Sequence, residues 1–214
     1  MFRIIAVERE YGSGGGTIAR KLAQQLGWKL WDQSFTEELA RIAHVDCPEM
    51  ERRCERLDSP LYRLSKVFWR GSYERASQLQ TFDVLDADSI VNMMGSVVEK
   101  IAKEGNAVIV GRGAPYFLRE RSDTLTVFFY ASRPEKIRRV MRDGKSRSEA
   151  EDLVDHVDRD RIAFVKHYFN ADWPYRPFYD LMVNTEMGDA AVIDIVSSAM
   201  QRIQSASESL ARSG

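Results

Sequence analysis

The chain has few features that could hold it together covalently or fix it to a membrane. Its 214 residues include two cysteines, Cys47 and Cys54, which predicts a reduced, cytoplasmic protein whose fold does not depend on disulfides. No run of about 18 uncharged apolar residues occurs, so we expect no transmembrane helix and no membrane partner. The N-terminal apolar run ends at Glu8 and is too short for a secretory signal.

An excess of positive charge is also absent. The chain has 31 Lys and Arg residues against 32 Asp and Glu residues, for a net charge of −1. This balance excludes a globally basic nucleic-acid binder, so no nucleic-acid partner is expected. The apolar content of 44% argues against disorder and, with this length, predicts a single folded domain over residues 1–214.

Short apolar segments alternate with helical patterns along the chain. The predicted strands are Arg3–Val7, Trp28–Trp31, Ala107–Val110, Leu125–Tyr130 and Asp180–Asn184. The predicted helices run from Thr17 to Gly27 and over Ser34–Ala43 (Ser34 as N-cap), Asp86–Lys103, Pro134–Arg142, Arg147–Phe169 and Asp189–Arg212. Apolar strands that alternate with helices predict a three-layer α/β/α fold around a parallel sheet of about five strands.

The turn between the first strand and the first helix is rich in glycine. Residues 12–17 read Gly-Ser-Gly-Gly-Gly-Thr. Glycines let the backbone bend so that several N–H groups converge on one point, and the following helix adds the positive end of its dipole. This pattern predicts a phosphate-binding loop formed by Gly12, Ser13, Gly14, Gly15, Gly16 and Thr17. The Thr17 hydroxyl is the best ligand for a magnesium ion, although a helix cap is an equal alternative.

Two phosphate-binding patterns compete for this turn. A dinucleotide-binding turn needs G-x-G-x-x-G and an acid about 20 residues later. Gly12 and Gly14 fit, and Asp32 lies 20 residues after Gly12, but Thr17 occupies the place of the third glycine. A P-loop has a longer loop followed by G-K-[ST]. The loop length fits the P-loop and favours it, although the lysine is missing.

The residues around the loop resemble the cytidylate kinase-like family, a branch of the P-loop nucleoside monophosphate kinases. The resemblance is carried by Arg-Glu-Tyr-Gly-Ser-Gly-Gly at residues 9–15, by Ile-Ala-Arg-Lys-Leu-Ala at 18–23, and by Ala107–Ala114, Val127–Ala131 and Tyr179–Thr185. It implies a P-loop kinase fold with a helical acceptor-binding insertion at about 46–82 and a lid at about 133–165. It also implies ATP and Mg²⁺ as the donor system, and a nucleoside monophosphate such as CMP as acceptor.

The family's loop lysine aligns with Gly15, so charge for phosphoryl transfer must come from elsewhere, or activity is low. Arg9, at the start of the loop, either folds over the donor phosphates or pairs with a neighbouring glutamate. Arg112 follows a buried strand, at the end of a parallel sheet where ligands bind. By resemblance, it holds the acceptor's phosphate and acts in catalysis.

Further residues are expected around the acceptor. The lid arginines close over the phosphates in the resembled kinases. By that resemblance Arg159 and Arg161 belong to the second lid helix and are expected to be catalytic, while Arg138 or Arg139 belongs to the first. Arg138 is taken as acceptor-binding. Asp32, at the end of the second strand, binds the acceptor, a metal-bound water, or the next helix as a cap.

Three functional hypotheses remain open at this point. The first is a kinase that transfers the γ-phosphoryl group of a nucleoside triphosphate to a nucleoside monophosphate or another small acceptor. The second keeps the fold and nucleotide binding but has lost turnover, as a sensor or interaction protein. The third is a dinucleotide-binding enzyme that uses Asp32 on the ribose. The sequence leaves the oligomeric state open.

Overall fold

A computed structural model describes residues 1–42 and 87–213 of the chain. The insertion expected at about 46–82 lies outside the described residues. The strands are β1 Ile4–Arg9, β2 Lys29–Trp31, β3 Ala107–Val110, β4 Thr124–Tyr130 and β5 Leu181–Asn184. They form a five-stranded sheet in the order β2-β3-β1-β4-β5, and all neighbouring strands are parallel. The predicted parallel sheet is confirmed.

The position of β1 in this sheet decides between the two phosphate-binding patterns. β1 pairs with β3 on one side, with Val7 opposite Val110, and with β4 on the other, with Val7 opposite Val127. In the dinucleotide-binding fold, strand order 3-2-1-4-5-6 puts the first strand beside the second. Here β3 separates β1 from β2. The dinucleotide hypothesis is therefore wrong for this chain.

Helices cover both faces of the sheet. They are α1 Gly15–Leu26, α2 Gln33–Ile42, α3 Ala87–Glu104, α4 Ala114–Phe117, α5 Arg133–Arg142, α6 Arg147–Phe169 and α7 Asp189–Ser213. Side chains alternate along β1, as expected for a strand. Ile4 and Ala6 pack in one buried cluster with residues of α2 and α3, whereas Ile5 and Val7 pack in another with residues of α1 and α7. This arrangement confirms the three-layer architecture.

Two boundaries next to the glycine loop differ from the prediction. β1 continues beyond Val7 through Glu8 and Arg9, because these residues pair with Phe128 and Phe129 of β4. Arg9 is therefore the last residue of a strand and not part of a loop. Helix α1 begins at Gly15 instead of Thr17, after Gly14 as N-cap with φ 78°.

The predicted cap of α2 was wrong. Ser34 lies inside this helix, and its Oγ donates to the Leu30 carbonyl at 3.1 Å instead of capping the N-terminus.

Helices α5 and α6 form the helical hairpin predicted as a lid. Gly144, with φ 91°, lies in the turn between them. Ser146 caps α6 by a capping box with Glu149, which fixes where this long helix begins. The two helices pack on each other through Ile137, Val140, Ala150 and Val154, with Tyr11 of the loop against the same cluster. Within residues 1–42 and 87–213, no helix is long and apolar enough to cross a membrane.

Candidate phosphate-binding site

The glycine loop is a tight backbone turn from the end of β1 to the start of α1. Gly12 and Gly14 have φ values of 75° and 78°, a left-handed conformation that glycine adopts without steric cost. Ser13 is buried, and its Oγ donates to the Glu10 carbonyl at 2.8 Å and accepts from the Gly15 N–H at 3.3 Å. The next N–H groups of α1, those of Gly16 and Thr17, have no partner within the helix and point to an anion site at the loop.

Successive glycines of the loop differ in the space around them. A Cβ on Gly15 would lie 2.8 Å from the Arg9 Cβ and 3.1 Å from the Phe129 Cβ. A Cβ on Gly16 would meet no atom of the described residues within 4 Å. The loop therefore lies directly on the sheet at Gly15 and faces open space at Gly16. A side chain at position 15 would require Arg9 or Phe129 to shift, so this structure has no room for a lysine there. Thr17 lies exposed in the first turn of α1.

The α5–α6 hairpin holds the loop backbone at every second residue. Arg161 Nη1 donates to the Arg9 carbonyl at 2.7 Å. The Tyr11 N–H donates to Asp158 Oδ1 at 2.8 Å. Arg139 Nη1 donates to the carbonyl of Ser13. The hairpin predicted as a lid thus rests against the loop in this structure.

Arg139 also ties the loop to the segment after β5. Its Nη1 donates to Thr185 Oγ1 at 2.8 Å, and its Nη2 donates to the Thr185 carbonyl at 3.1 Å. Thr185 Oγ1 in turn donates to the Ser13 carbonyl at 2.6 Å. The neighbouring Arg138, predicted to bind the acceptor, is exposed and pairs with Glu135 at 2.5 Å. The structure therefore places Arg139, and not Arg138, at the loop.

Arg112 lies in an unusual backbone conformation at the end of β3. Gly111, Arg112 and Gly113 have φ values of 69°, 61° and 68°. A non-glycine residue in this region is strained by roughly 1–3 kcal/mol, and such strain clusters at functional sites. Its side chain is only 3% exposed, and its guanidinium carbon lies 5.9 Å from the centre of the Phe35 ring. The structure therefore puts Arg112 at the edge of the sheet where the acceptor was expected.

A buried group of charges surrounds the end of β1. The exposed fractions are 1% for Glu8, 7% for Arg9 and 2% for Arg161. Burial raises the pKa of Glu8, and the charges of Arg9 and Arg161 oppose that rise. Burial, followed by repulsion from Arg9, lowers the pKa of Arg161 to about 10. The two guanidinium groups thus share a poorly solvated space with the Glu8 carboxyl group, and Arg161 also pairs with Asp158 at 3.0 Å.

Glu8 is a site residue that the sequence reasoning missed. The Trp173 Nε1–H donates to its Oε2 at 3.4 Å, and its Oε1 has no hydrogen-bond partner within the part of the chain that the structure describes. The sequence signal for Glu8 was its position directly after the apolar run of Ile4–Val7. A charged residue in a buried strand is rare unless it is paired, and therefore indicates a special role. It was passed over because the strand was expected to end at Val7.

Two further residues predicted for the site are Arg159, which lies away from the loop, and Asp32, which lies at the rim. Arg159 is exposed, and its Nε donates to the Asp155 carbonyl of its own helix at 2.9 Å. Asp32 follows β2 at the carboxyl end of the sheet and is half-buried. Among the described residues, no group of three or more His, Cys, Asp and Glu side chains is arranged to hold a metal ion. A magnesium ion at the loop would therefore need ligands from Thr17, water and the phosphates themselves.

The comparisons with known proteins agree with this geometry. Residues 4–187 match the sequence profile of the cytidylate kinase-like family, and the chain belongs to this family. No curated protein matches the chain significantly.

Solved structures resemble it over nearly the whole length. An uncharacterized protein from Eubacterium ventriosum has a TM-score of 0.67 at 20% identity, covering 94% of this chain and 99% of that chain. Shikimate kinase from Bacteroides thetaiotaomicron has a TM-score of 0.51 at 18% identity, covering 96% and 98%. Shikimate kinase from Acinetobacter baumannii in complex with shikimate has a TM-score of 0.50 at 17% identity, covering 96% and 94%. The chain thus has a P-loop kinase fold.

Proposed function

We propose that the protein is an ATP-dependent phosphotransferase that moves a γ-phosphoryl group to a nucleoside monophosphate such as CMP, or to another small acceptor. The observation that carries this proposal is the convergence of a glycine cradle and three buried arginines, Arg9, Arg112 and Arg161, at the carboxyl end of the sheet. Phosphoryl transfer needs mostly positioning and neutralisation of phosphate oxygens. We assign the activity to the cytoplasm because the low cysteine content favours it.

Each part of the site has a role in the proposed reaction. The backbone of Gly12–Thr17 holds the donor phosphates, Arg112 holds the phosphate of the acceptor, and Asp32 contacts the acceptor from the end of β2. An acceptor oxygen forms a bond to the γ-phosphorus while the bond to the β–γ bridging oxygen breaks, and ADP leaves with that electron pair. The Thr17 hydroxyl would hold a magnesium ion, which would supply positive charge to the phosphate oxygens.

A second candidate is a nucleotide-binding protein without turnover. It is favoured by the lack of room for a lysine at Gly15, and by the hairpin that already rests on the loop through Arg139 and Arg161. In this alternative, the closed hairpin would serve nucleotide binding and not a reaction cycle.

One experiment separates the two candidates. ADP release from magnesium-ATP is measured with CMP, other nucleoside monophosphates and shikimate, beside a direct measurement of ATP binding. We expect turnover with at least one monophosphate. We also expect Arg112→Met to raise its KM by roughly tenfold or more, because a charged contact is lost. The control is Arg119→Met, an exposed arginine next to Glu120. Tight ATP binding without ADP release for any acceptor would favour the second candidate, and absence of ATP binding would exclude both.

A further inference from the structure

The side chain of Arg9 is buried and forms no bond to any residue that the structure describes. It is 7% exposed, and among the described residues its guanidinium group makes no ion pair and no hydrogen bond. The other arginines at the loop are bonded: Arg161 to the Arg9 carbonyl and Asp158, and Arg139 to Ser13. Burying a charge is costly unless it is paired. A buried guanidinium group that has no hydrogen bond or ion pair among the described residues, and only the charge of Glu8 nearby, therefore points to a ligand that supplies further negative charge.

The guanidinium group of Arg9 lies where a substrate would bind. A Cβ on Gly111 would overlap Arg9 Nη1 and lie 3.3 Å from its Cζ. Gly111 directly follows β3, and its N–H donates to the Val7 carbonyl of β1 at 2.8 Å. The guanidinium group is thus at the carboxyl ends of two central strands, between the glycine loop and Arg112. Ligands of parallel α/β sheets bind at this edge.

Two glycines lie against Arg9, and their lack of a side chain provides the space that this arginine occupies. Gly15 contacts the Cβ of Arg9, and Gly111 lies beneath its guanidinium group. A side chain at either position would displace the arginine or the backbone that carries it. Gly15 thus makes room for Arg9, and the positively charged group beside the loop is a side chain of strand β1 and not of the loop itself.

The local charge balance also calls for an anion. Arg161 lies close enough to Arg9 for repulsion between the two guanidinium groups to help lower its pKa to about 10. Glu8 is the acid that burial places with them, and burial raises its pKa. A phosphoryl group carries more negative charge than one carboxylate and presents several acceptor oxygens. Because Arg161 already pairs with Asp158 at 3.0 Å, the phosphoryl group would mainly compensate the charge of Arg9.

We propose that Arg9, supported by Arg161, binds the phosphoryl groups of the nucleotide donor and supplies the positive charge that a loop lysine supplies in related kinases. The proposal rests on the proposed function, because the donor is taken to be a nucleoside triphosphate. The acceptor's phosphate offers the same chemistry, so the test measures the two ligands separately.

The test compares Arg9→Met and Arg9→Lys with the parent and with Arg20→Met, an exposed arginine on α1. Calorimetry gives the Kd for ATP, tripolyphosphate and CMP, and urea denaturation gives the stability. We expect Arg9→Met to weaken ATP and tripolyphosphate binding by roughly 10- to 100-fold, as for a lost charged hydrogen bond. CMP binding should be unchanged, and Arg9→Lys should restore part of the loss. The urea midpoint should stay the same or rise, because the variant removes a buried guanidinium group that has no hydrogen bond or ion pair among the described residues.

Two outcomes would overturn the assignment. A lower urea midpoint with unchanged ATP affinity would make Arg9 a structural residue. Weaker CMP binding alone would assign it to the acceptor. Neither readout needs turnover, so this test is separate from that of the proposed function. If the protein binds tripolyphosphate through Arg9 but never releases ADP, only the proposed function is contradicted. If an Arg9→Met variant is active and binds the donor normally, only the inference about Arg9 is contradicted.

Discussion

The glycine loop has an arginine on each side, and the two are held in opposite ways. Arg139 of α5 donates to the Ser13 carbonyl and to both oxygens of Thr185. Arg9 of β1 is more deeply buried and makes no such bonds among the described residues. Carbonyl and hydroxyl oxygens, together with the Glu135 carboxylate 2.9 Å from its Nε, satisfy Arg139 within the protein itself, so it stabilises the fold. Proximity to the loop therefore does not distinguish the two arginines, whereas their bonding partners do.

A similar contrast exists within the loop, between Gly15 and Gly16. Both belong to the first turn of α1, but only Gly15 is packed against the sheet. Any side chain at Gly15 must push against the Cβ of Arg9, whereas Gly16 borders open space. The part of the loop that touches β1 is therefore constrained by packing, whereas the described residues leave Gly16 unconstrained by packing.

The largest effect that we predict follows from this contrast. Gly15→Ala should lower the free energy of unfolding by about 1–3 kcal/mol, because the added methyl overpacks a site without free volume. Gly16→Ala should be neutral or should stabilise by about 0.5–1 kcal/mol, since alanine favours a helix over glycine. Urea denaturation of both variants measures the difference. Equal destabilisation by the two substitutions would contradict the packing argument.

The next effect concerns the outer arginine. Arg139→Met removes the bonds to Ser13 and Thr185 and leaves buried oxygens with fewer donors, so we expect a loss of about 1–3 kcal/mol in the free energy of unfolding. Arg138→Met, one residue away and exposed, should change it by less than about 0.5 kcal/mol. Arg9→Met should not destabilise, in contrast with Arg139→Met. The distinction between the two sides of the loop fails if Arg9→Met costs as much stability as Arg139→Met.

A smaller effect is expected from the pH dependence of stability. The pKa of Glu8 is raised by burial in the folded protein, so the folded state binds this proton more tightly than the unfolded state. The stabilisation from that proton is fully present below the unfolded pKa of about 4.3 and is lost as the pH rises through the folded value. Glu8→Gln should therefore flatten the dependence of the free energy of unfolding on pH. Compared with the parent, the variant should gain more stability at pH 7 than at pH 4. A parallel shift at both pH values would contradict the assignment.

Much of the architecture around this site follows from local patterns. The apolar run of Ala107–Val110 and the helical periods of α5 and α6 were predicted with nearly the observed limits. The phosphate loop was also predicted, because a strand, a glycine cluster and a helix in that order is a local signal. The strand order could not be read from the same patterns, since it depends on which distant strands pair.

The properties of Arg9 and Glu8 could not be predicted for a related reason. As charged residues before a glycine-rich turn, they have the local signature of a loop. They are strand residues because β4 pairs with them, Glu8 with Phe128 and Arg9 with Phe129. This pairing brings Arg9 against Gly15, at the end of the sheet. The choice between Arg138 and Arg139 has the same origin, because only the packing of α5 on the loop shows which one faces inward.

The smallest effect concerns Arg159, which the sequence grouped with Arg161 as catalytic. An α-helix turns by about 200° over two residues, so the two side chains leave α6 on nearly opposite sides. Arg161 is buried against the Arg9 carbonyl, whereas Arg159 is exposed and donates to the Asp155 carbonyl. We expect Arg159→Met to change the Kd for ATP by less than about twofold and the stability by less than about 0.5 kcal/mol. Arg161→Met should lower both stability and ATP affinity, because a carbonyl of the loop strand loses its donor. A large loss of ATP affinity in Arg159→Met would show that α6 presents its other face to the nucleotide, with a hairpin position different from the one in this structure.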